Sequence, residues 1–144
     1  PSRGLGDVYK RQAMNYPAYY EADILRYFSA NPMEQTFYEV LVRQMDACMP
    51  EASVKVQKSQ ISFYDRHLFA AASIPLRRKK NWPNTCLLVT FGLSHRVEDP
   101  RISVAVEPYP NRWTHHVLIS ESDQIDAQLM AWLEEARTFA RSKR

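Results

Sequence analysis

Hydrophobic and polar residues alternate in short runs through the middle of the chain. Six runs of β-forming residues follow one another across short turns: Val54–Lys58, Gln60–Tyr64, Leu68–Ile74, Cys86–Leu93, Arg101–Glu107 and Trp113–Ser120. Val54 and Val56 alternate with polar neighbours, which is typical of a strand with one buried and one wetter face. Leu68–Ile74 and Cys86–Phe91 are apolar on both sides, so we expect these two strands at the centre of the sheet.

Helical spacing replaces this alternation before the first strand. A first short helix is predicted over Ala22–Ser29, and its buried residues are expected to be Ile24, Leu25 and Phe28. A longer helix follows, with Asn31 as its cap, Pro32 at its first position and Glu34 where a capping-box acid belongs. Its apolar face recurs at three- and four-residue steps: Met33, Phe37, Val40, Leu41, Met45 and Cys48. Pro50 ends it, because proline cannot donate the next backbone hydrogen bond.

A last helix is predicted over Ser122–Arg141. Its apolar face consists of Ile125, Leu129, Trp132, Leu133, Ala136 and Ala140. Acidic residues crowd its start and basic residues its end, the order that the helix dipole favours. The whole pattern predicts an α+β fold, a single antiparallel sheet of about five to six strands flanked by N-terminal helices and a long C-terminal helix.

Prolines and one charged turn are expected to divide the strands. Asp65-Arg66-His67 is predicted to form a hairpin turn. Pro108 and Pro110 are expected to end the fifth strand, because proline cannot join a central ladder of hydrogen bonds.

The first residues differ from the rest of the chain. Asp7–Gln12 resembles the translation of a transposon adapter used in sequencing libraries. We therefore expect residues 1–13 to be a non-native, disordered leader, and Met14 to begin a single domain over residues 14–144. Without residues 1–12, Lys and Arg fall from 19 to 16 and Asp and Glu from 16 to 15, so the net charge falls from +3 to +1. A near-neutral domain offers no general argument for binding nucleic acid or an anionic membrane.

Composition narrows the protein class. A hydrophobic content of 45% fits a folded core. No apolar run approaches the roughly 18 residues that a membrane span requires, so no membrane partner is expected. Cys48 and Cys86 lie far apart without metal-ligand spacing and are expected to be reduced and buried, as in a soluble cytoplasmic protein.

One loop has the composition of a nucleic-acid contact. Arg77, Arg78, Lys79 and Lys80 could lie on phosphates while Trp82 stacks on a base. The alternative is a solvated loop whose charges aid solubility, and the near-neutral domain favours it.

The histidine pair His115-His116 invites a metal or catalytic interpretation. Adjacent strand residues point to opposite faces, so we expect one imidazole in the core and one in solvent, and no metal site. An unrecognised hydrolase or acid–base enzyme using either histidine with a carboxylate is a further hypothesis. Gly92 is the only glycine after residue 12, which excludes a glycine-rich phosphate loop and a Gly-x-Ser-x-Gly elbow there.

We therefore predict a small, soluble, non-enzymatic binding or interaction domain that needs no cofactor. Its ligand-facing surface combines a polar strand with a later strand entry: Lys58, Gln60, Ser62, Tyr64, Asn111, Arg112, Trp113, His115 and His116. Arg112 would hold an anionic or carbonyl group of a small-molecule or protein ligand, Trp113 would stack or pack, and a histidine would donate a hydrogen bond. The alternative is an ordinary polar outer face of a sheet.

Five stretches of the chain together resemble one known family. They are Lys58–Tyr64, Leu68–Ala70, Val89–Leu93, Arg112–His116 and the helix that carries Ile125-Asp126, Trp132-Leu133 and Ala136. The family is a bacterial domain of unknown function, family 5655, and the resemblance covers roughly Tyr20 to Arg141. It implies an α+β domain that occurs alone or, in proteins labelled predicted transport proteins, after a nuclease-like domain. It brings no established activity and no catalytic residues.

Overall fold

The computed structural model describes residues 14–143, and the predicted leader lies outside the described residues. In chain order the elements are α1 Tyr20–Tyr27, α2 Pro32–Cys48, β1 Ser53–Val56, β2 Ile61–Asp65, β3 His67–Ser73, β4 Leu87–Leu93, β5 Ile102–Tyr109, β6 Arg112–Ile119, a 3-10 turn Ser122–Gln124 and α3 Ala127–Ser142. The prediction of an α+β fold with one antiparallel sheet is confirmed. No helix within residues 14–143 has the length and apolar character needed to cross a bilayer.

The six strands form one sheet in the order β1-β2-β3-β4-β6-β5. Every neighbouring pair is antiparallel. β3 and β4 occupy the centre, as their apolar sequences predicted.

One face of the sheet is covered by α3. The ring of Phe91 stacks on Trp132 of α3 with centroids 5.8 Å apart, which fixes the side of β4 that faces the helix. Register places Ala70 and His115 beside Phe91 on this covered face. The small side chain of Ala70 lets the helix approach the sheet closely, and α2 packs beside α3.

The last helix begins later than its periodicity indicated. Asp126 caps α3, since its carboxylate accepts a hydrogen bond from the backbone N–H of Leu129 at 3.0 Å. The preceding residues Ser122–Gln124 form a separate 3-10 turn with its own capping box. The predicted helical start at Ser122 is therefore wrong, because a capping side chain separates the two segments.

Several predictions for the N-terminal helices are wrong. Leu25 is 61% exposed and Met33 is 54% exposed, and Cys48 is also exposed. The helices bury only a narrow stripe against the sheet, so residues at the edges of the apolar pattern face solvent. Asn31 stands at the cap position without a side-chain hydrogen bond, and Glu34 is instead buried with a carboxylate oxygen 4.0 Å from Arg78.

The fifth strand runs through a proline that was expected to stop it. β5 includes Pro108 and ends at Tyr109. It forms an edge of the sheet, where the missing N–H of proline leaves no ladder bond unmade. Two register shifts along β5 further interrupt this edge.

Candidate functional site

The face of the sheet opposite α3, here called the open face, carries a row of side chains that crosses every strand. Register aligns Lys55, Ser62, Ala71, Thr90, His116 and Val104 from β1 to β5. Neighbouring strands lie about 4.8 Å apart, so Ser62 and His116 are separated by about 14 Å. The strand positions that register assigns to this face on β2, β4 and β6 hold hydroxyl, imidazole and cationic groups together with Leu88, Gly92 and Leu118, but no carboxylate.

A shallow depression of about 240 Å³ lies over the central strands of the open face. Its lining includes Gln60, Ala71, Thr90, Gly92, Thr114 and Lys143. Ala71 and Gly92 have little or no side chain, so the floor sinks between the polar residues of β2 and β6. The hydroxyl of Thr114 makes no hydrogen bond to another residue within 14–143 and is free to donate to a ligand.

Two cations, Lys143 and Arg112, lie beside this depression. Lys143 lines it, with its ammonium 4.8 Å from the centroid of the Phe139 ring. Burial first, and the nearby charge of Arg112 second, lower the pKa of Lys143 below its usual value. Neither cation forms an ion pair with a carboxylate in the described part of the chain. An anion bound near both cations would therefore relieve their mutual repulsion.

Thr90 and His116 form a hydrogen-bonded pair on the open face. Thr90 Oγ1 lies 2.9 Å from His116 Nδ1. Burial first, and the charge of Lys79 second, lower the pKa of His116, so the ring is neutral at pH 7. In the tautomer that protonates Nδ1, the ring donates to Thr90 Oγ1 and leaves the threonine hydrogen free to point at a ligand.

The hydroxyl of Ser62 is hydrogen bonded to the side chains of two glutamines. Its hydroxyl donates to Gln57 Oε1 at 2.5 Å and accepts from Gln60 Nε2 at 2.8 Å. Ser62 is completely buried, so these bonds satisfy a group that would otherwise be costly inside the protein. Ser62 therefore has a structural role, and no histidine among residues 14–143 hydrogen bonds its hydroxyl.

The nine residues predicted to form one surface do not all converge. Strand alternation places five of them on the open face: Gln60, Ser62, Tyr64, Arg112 and His116. Trp113 and His115 lie on the covered side, while Lys58 and Asn111 lie in turns. Asn111 has a positive φ of 61°, and its backbone N–H donates to Glu107 Oε2 at 2.9 Å. Tyr64 lies under the ammonium of Lys55, 4.8 Å from its ring centroid.

His115 is a core residue. It is completely buried, its ring stacks on Phe91 with centroids 5.1 Å apart, and its Nε2 accepts the backbone N–H of Val97 at 2.9 Å. Burial is the main cause that lowers its pKa. Its Nδ1 has no hydrogen-bond partner in the described region.

A histidine with a carboxylate partner occurs elsewhere. Neither His115 nor His116 hydrogen bonds a carboxylate within residues 14–143, so the geometry that the acid–base hypothesis requires is missing from this pair. His95 instead contacts Glu135, with Nε2 2.5 Å from Oε2, and both side chains are about half exposed. Within the described residues, no group of three or more His, Cys, Asp and Glu side chains could hold a metal ion.

The basic loop lies beside the open face. Arg77, Arg78, Lys79 and Lys80 are exposed, and Trp82 is half-buried. Arg78 approaches a carboxylate, whereas the other three cations make no ion pair among residues 14–143. The charge of Lys79 is the second cause, after burial, of the lowered pKa of His116.

Three residues of the depression were missed by sequence reasoning. Thr90 and Thr114 lie inside strands that were assigned by their apolar neighbours, and Lys143 lies beyond the predicted last helix. The alternation of Thr90 between Val89 and Phe91 was the available signal for its face. Which strand lies beside β4, however, depends on sheet order.

Comparison with known proteins identifies a family for this chain. The family model described as domain of unknown function (DUF5655) matches residues 26–140. Neither the curated proteins nor the solved structures contain a match to the chain.

Proposed function

The chain belongs to the DUF5655 family of domains of unknown function, and we propose that it binds an anionic small molecule in the depression of the open face. The oxyanion lies between Lys143 and Arg112 and accepts hydrogen bonds from the hydroxyls of Thr90 and Thr114. No bond of the ligand is made or broken.

The observation that carries this proposal is a pair of cations that form no ion pair among residues 14–143, on a face where β2, β4 and β6 present no carboxylate. Lys143 lines the depression, and Arg112 is close enough to depress its pKa. Like charges near each other favour an anion between them, and the partial burial of Lys143 reduces screening by salt there, whereas Arg112 is exposed. The two threonines add directional donors, which fix the orientation of an oxyanion.

The hydrogen bonds of the potential nucleophile and base on the open face favour ligand binding without catalysis. The hydroxyl of Ser62 is saturated by two glutamines, and His116 is bonded to Thr90. Ser62 therefore has no base within hydrogen-bond reach, and the imidazole beside the Thr90 hydroxyl is not oriented by a carboxylate among residues 14–143, as an activated nucleophile requires.

The test is calorimetric titration of the full chain with inorganic pyrophosphate and, separately, with succinate. We expect Lys143→Met to weaken binding of the preferred anion by about tenfold, and Thr114→Val to weaken it by about fivefold. Lys80→Met removes the same charge from the exposed loop and is expected to leave affinity within about twofold.

Three results would overturn the proposal. The first is no heat with either anion at millimolar concentration. The second is an equal loss for Lys143→Met and Lys80→Met, which would reduce the effect to net charge. The third is unchanged affinity for Lys143→Met. A preference for pyrophosphate over succinate, or the reverse, identifies the kind of oxyanion.

Nucleic-acid contact is the second candidate function, favoured by Arg77, Lys79 and Lys80, which form no ion pair in the part of the chain that the structure describes. It predicts that a single-stranded oligonucleotide binds and that its affinity falls steeply with salt. Neutralising these three residues together should lower the salt slope by about two to three units. A flat salt dependence, or an unchanged slope in the triple variant, excludes this function for the loop.

We also propose a cytoplasmic location. Both cysteines are free, and Cys48 is exposed, which suits a reducing compartment. Thiol trapping in intact cells is expected to find Cys48 reduced, and an oxidised Cys48 would contradict the location.

A further inference from the structure

A second and larger cavity lies beside the start of β2 and shares no lining residue with the depression of the open face. This cleft, about 580 Å³ in volume, lies between α1, the β1–β2 turn and the segment that follows β3. Its apolar lining consists of Val56, Ile74 and Leu76. Its polar lining consists of Asp23, Arg26, Asn31, Gln57, Lys58 and Ser59, with Tyr27 between the two groups. The volume falls in the range that small-molecule sites occupy.

Tyr27 fixes the walls of the cleft. Its hydroxyl donates to the carbonyl oxygen of Ser59 at 3.1 Å and accepts the backbone N–H of Ile74 at 3.1 Å. One side chain of α1 thereby holds both the β1–β2 turn and the start of the β3–β4 connection. Since both roles of the hydroxyl are used, Tyr27 shapes the cleft and offers no further donor to a ligand.

The apolar side of the cleft includes an unusually exposed leucine. Leu76 is 91% exposed, while Val56 and Ile74 beneath it are half-buried. A single exposed leucine is ordinary on a protein surface, but this one extends an apolar wall inside a concave site. A ligand with an apolar body would remove that wall from water.

The polar side offers one unpaired charge. Arg26 is bound to Asp23 at 2.9 Å, so its charge is already compensated. Lys58 forms no ion pair with any carboxylate within residues 14–143. The cleft therefore combines an apolar wall with a single available ammonium.

We propose that this cleft is a second ligand site, which binds a small amphipathic carboxylate. The apolar body covers Val56, Ile74 and Leu76, and the carboxylate lies on the ammonium of Lys58. A neutral ligand would forfeit the charge interaction, and a small polar anion would forfeit the apolar contact. The site is separate from the depression of the open face and does not depend on the function proposed for it.

The probe is decanoate, titrated into the full chain by calorimetry, with decanol as the neutral counterpart. We expect decanoate to bind about fivefold more tightly than decanol. Lys58→Met should remove that difference by weakening decanoate alone. Lys55→Met neutralises an exposed lysine of β1 that lies over Tyr64 and does not line the cleft, so it is the matched control and should leave the difference intact. Leu76→Ser should weaken both probes by a similar factor.

The position of binding is checked independently. Backbone amide shifts upon adding decanoate are expected at residues 56–59, at Ile74 and at Leu76, and not at Thr90 or Thr114. Ser59→Trp places a large ring in the cleft and should abolish decanoate binding while the thermal midpoint changes little. Shifts confined to the open face, equal affinity for decanoate and decanol, equal effects of Lys58→Met and Lys55→Met, or no detectable decanoate binding would each overturn the proposal.

Discussion

His115 and His116 are neighbours in the chain but belong to opposite faces of the sheet. His115 is packed against Phe91 on the covered face, while His116 pairs with Thr90 on the open face. The two rings differ in function because the pleat of β6 sends them in opposite directions. One residue type therefore contributes to a hydrophobic core at one position and to a polar surface at the next.

The two faces also satisfy their polar groups differently. On the covered face, the ring of His115 accepts one hydrogen bond from a backbone N–H and otherwise packs against the ring of Phe91. On the open face, hydroxyl and amide groups bond to each other, as in the chain formed by Gln57, Ser62 and Gln60. The covered face is expected to determine stability, and the open face is expected to determine binding.

The largest expected effect is a truncation on β4, where adjacent residues point to the two faces. Phe91→Ala should lower the free energy of unfolding by about 3–5 kcal/mol, because it removes a ring stacked between His115 and Trp132. Thr90→Ala should cost about 1 kcal/mol, the usual value of one hydrogen bond. Denaturant unfolding of both variants measures the contrast. Similar losses for the two substitutions would show that the faces are not energetically distinct.

A smaller effect is expected where α3 is tied to the end of β2. Arg137 lies 3.0 Å from Asp65, and it also contacts Glu51 and Glu134. Arg137→Met should destabilise the fold by about 2 kcal/mol, because it leaves the mostly buried Asp65 without its closest cation. Arg43→Met, at an exposed position with no ion pair among residues 14–143, serves as the control in the same unfolding experiment. Equal stability of the two variants would remove the ion-pair explanation.

The smallest expected effect is a change of stability with pH. Burial lowers the pKa of both His115 and His116, and the unfolded value is about 6.5. Their contribution to stability is therefore fully present above about pH 6.5 and is lost as the pH falls toward the folded-state pKa. His95 has the opposite sign, because its hydrogen bond with Glu135 raises its pKa, and its contribution is lost as the pH rises.

Thermal midpoints measured between pH 7.5 and pH 5.5 test this sign. We expect the wild-type midpoint to fall with decreasing pH, and His115→Phe to fall less because the buried titrating ring is gone. His95→Gln should make the decrease steeper. A His115→Phe variant with the wild-type slope would show that this ring does not contribute to the pH dependence.

Much of the fold followed from local pattern. Alternation located all six strands to within a few residues, and continuous apolar runs identified β3 and β4 as central. The wrong predictions concern residues whose environment depends on the rest of the fold. Pro108 was expected to stop a strand, but an edge position makes the proline harmless. Leu25 and Met33 fit an apolar stripe, but the helices bury only part of it.

The candidate site was predictable only in part. Gln60 and Ser62 were identified because polar residues at alternate positions mark one face of a strand, whereas His116 was named only together with His115. Alternation also predicted that one histidine of the pair would face the core, although it did not say which. Thr114 joins the depression only because β4 lies beside β6, and Lys143 joins it only because the C-terminal end of α3 lies beside these strands.

The sequence by itself determined which residues form strands and helices, and which side chains share a face within one strand. It did so because the strand period of two and the helix period of 3.6 are local properties of the backbone. Tertiary structure alone decided that Ser62, Thr90 and His116 lie in one row, that Lys143 lines the depression of the open face, and that Lys58 belongs to a different cavity. These relations depend on strand order and register, which follow from the burial of one common core and from no single segment of the chain.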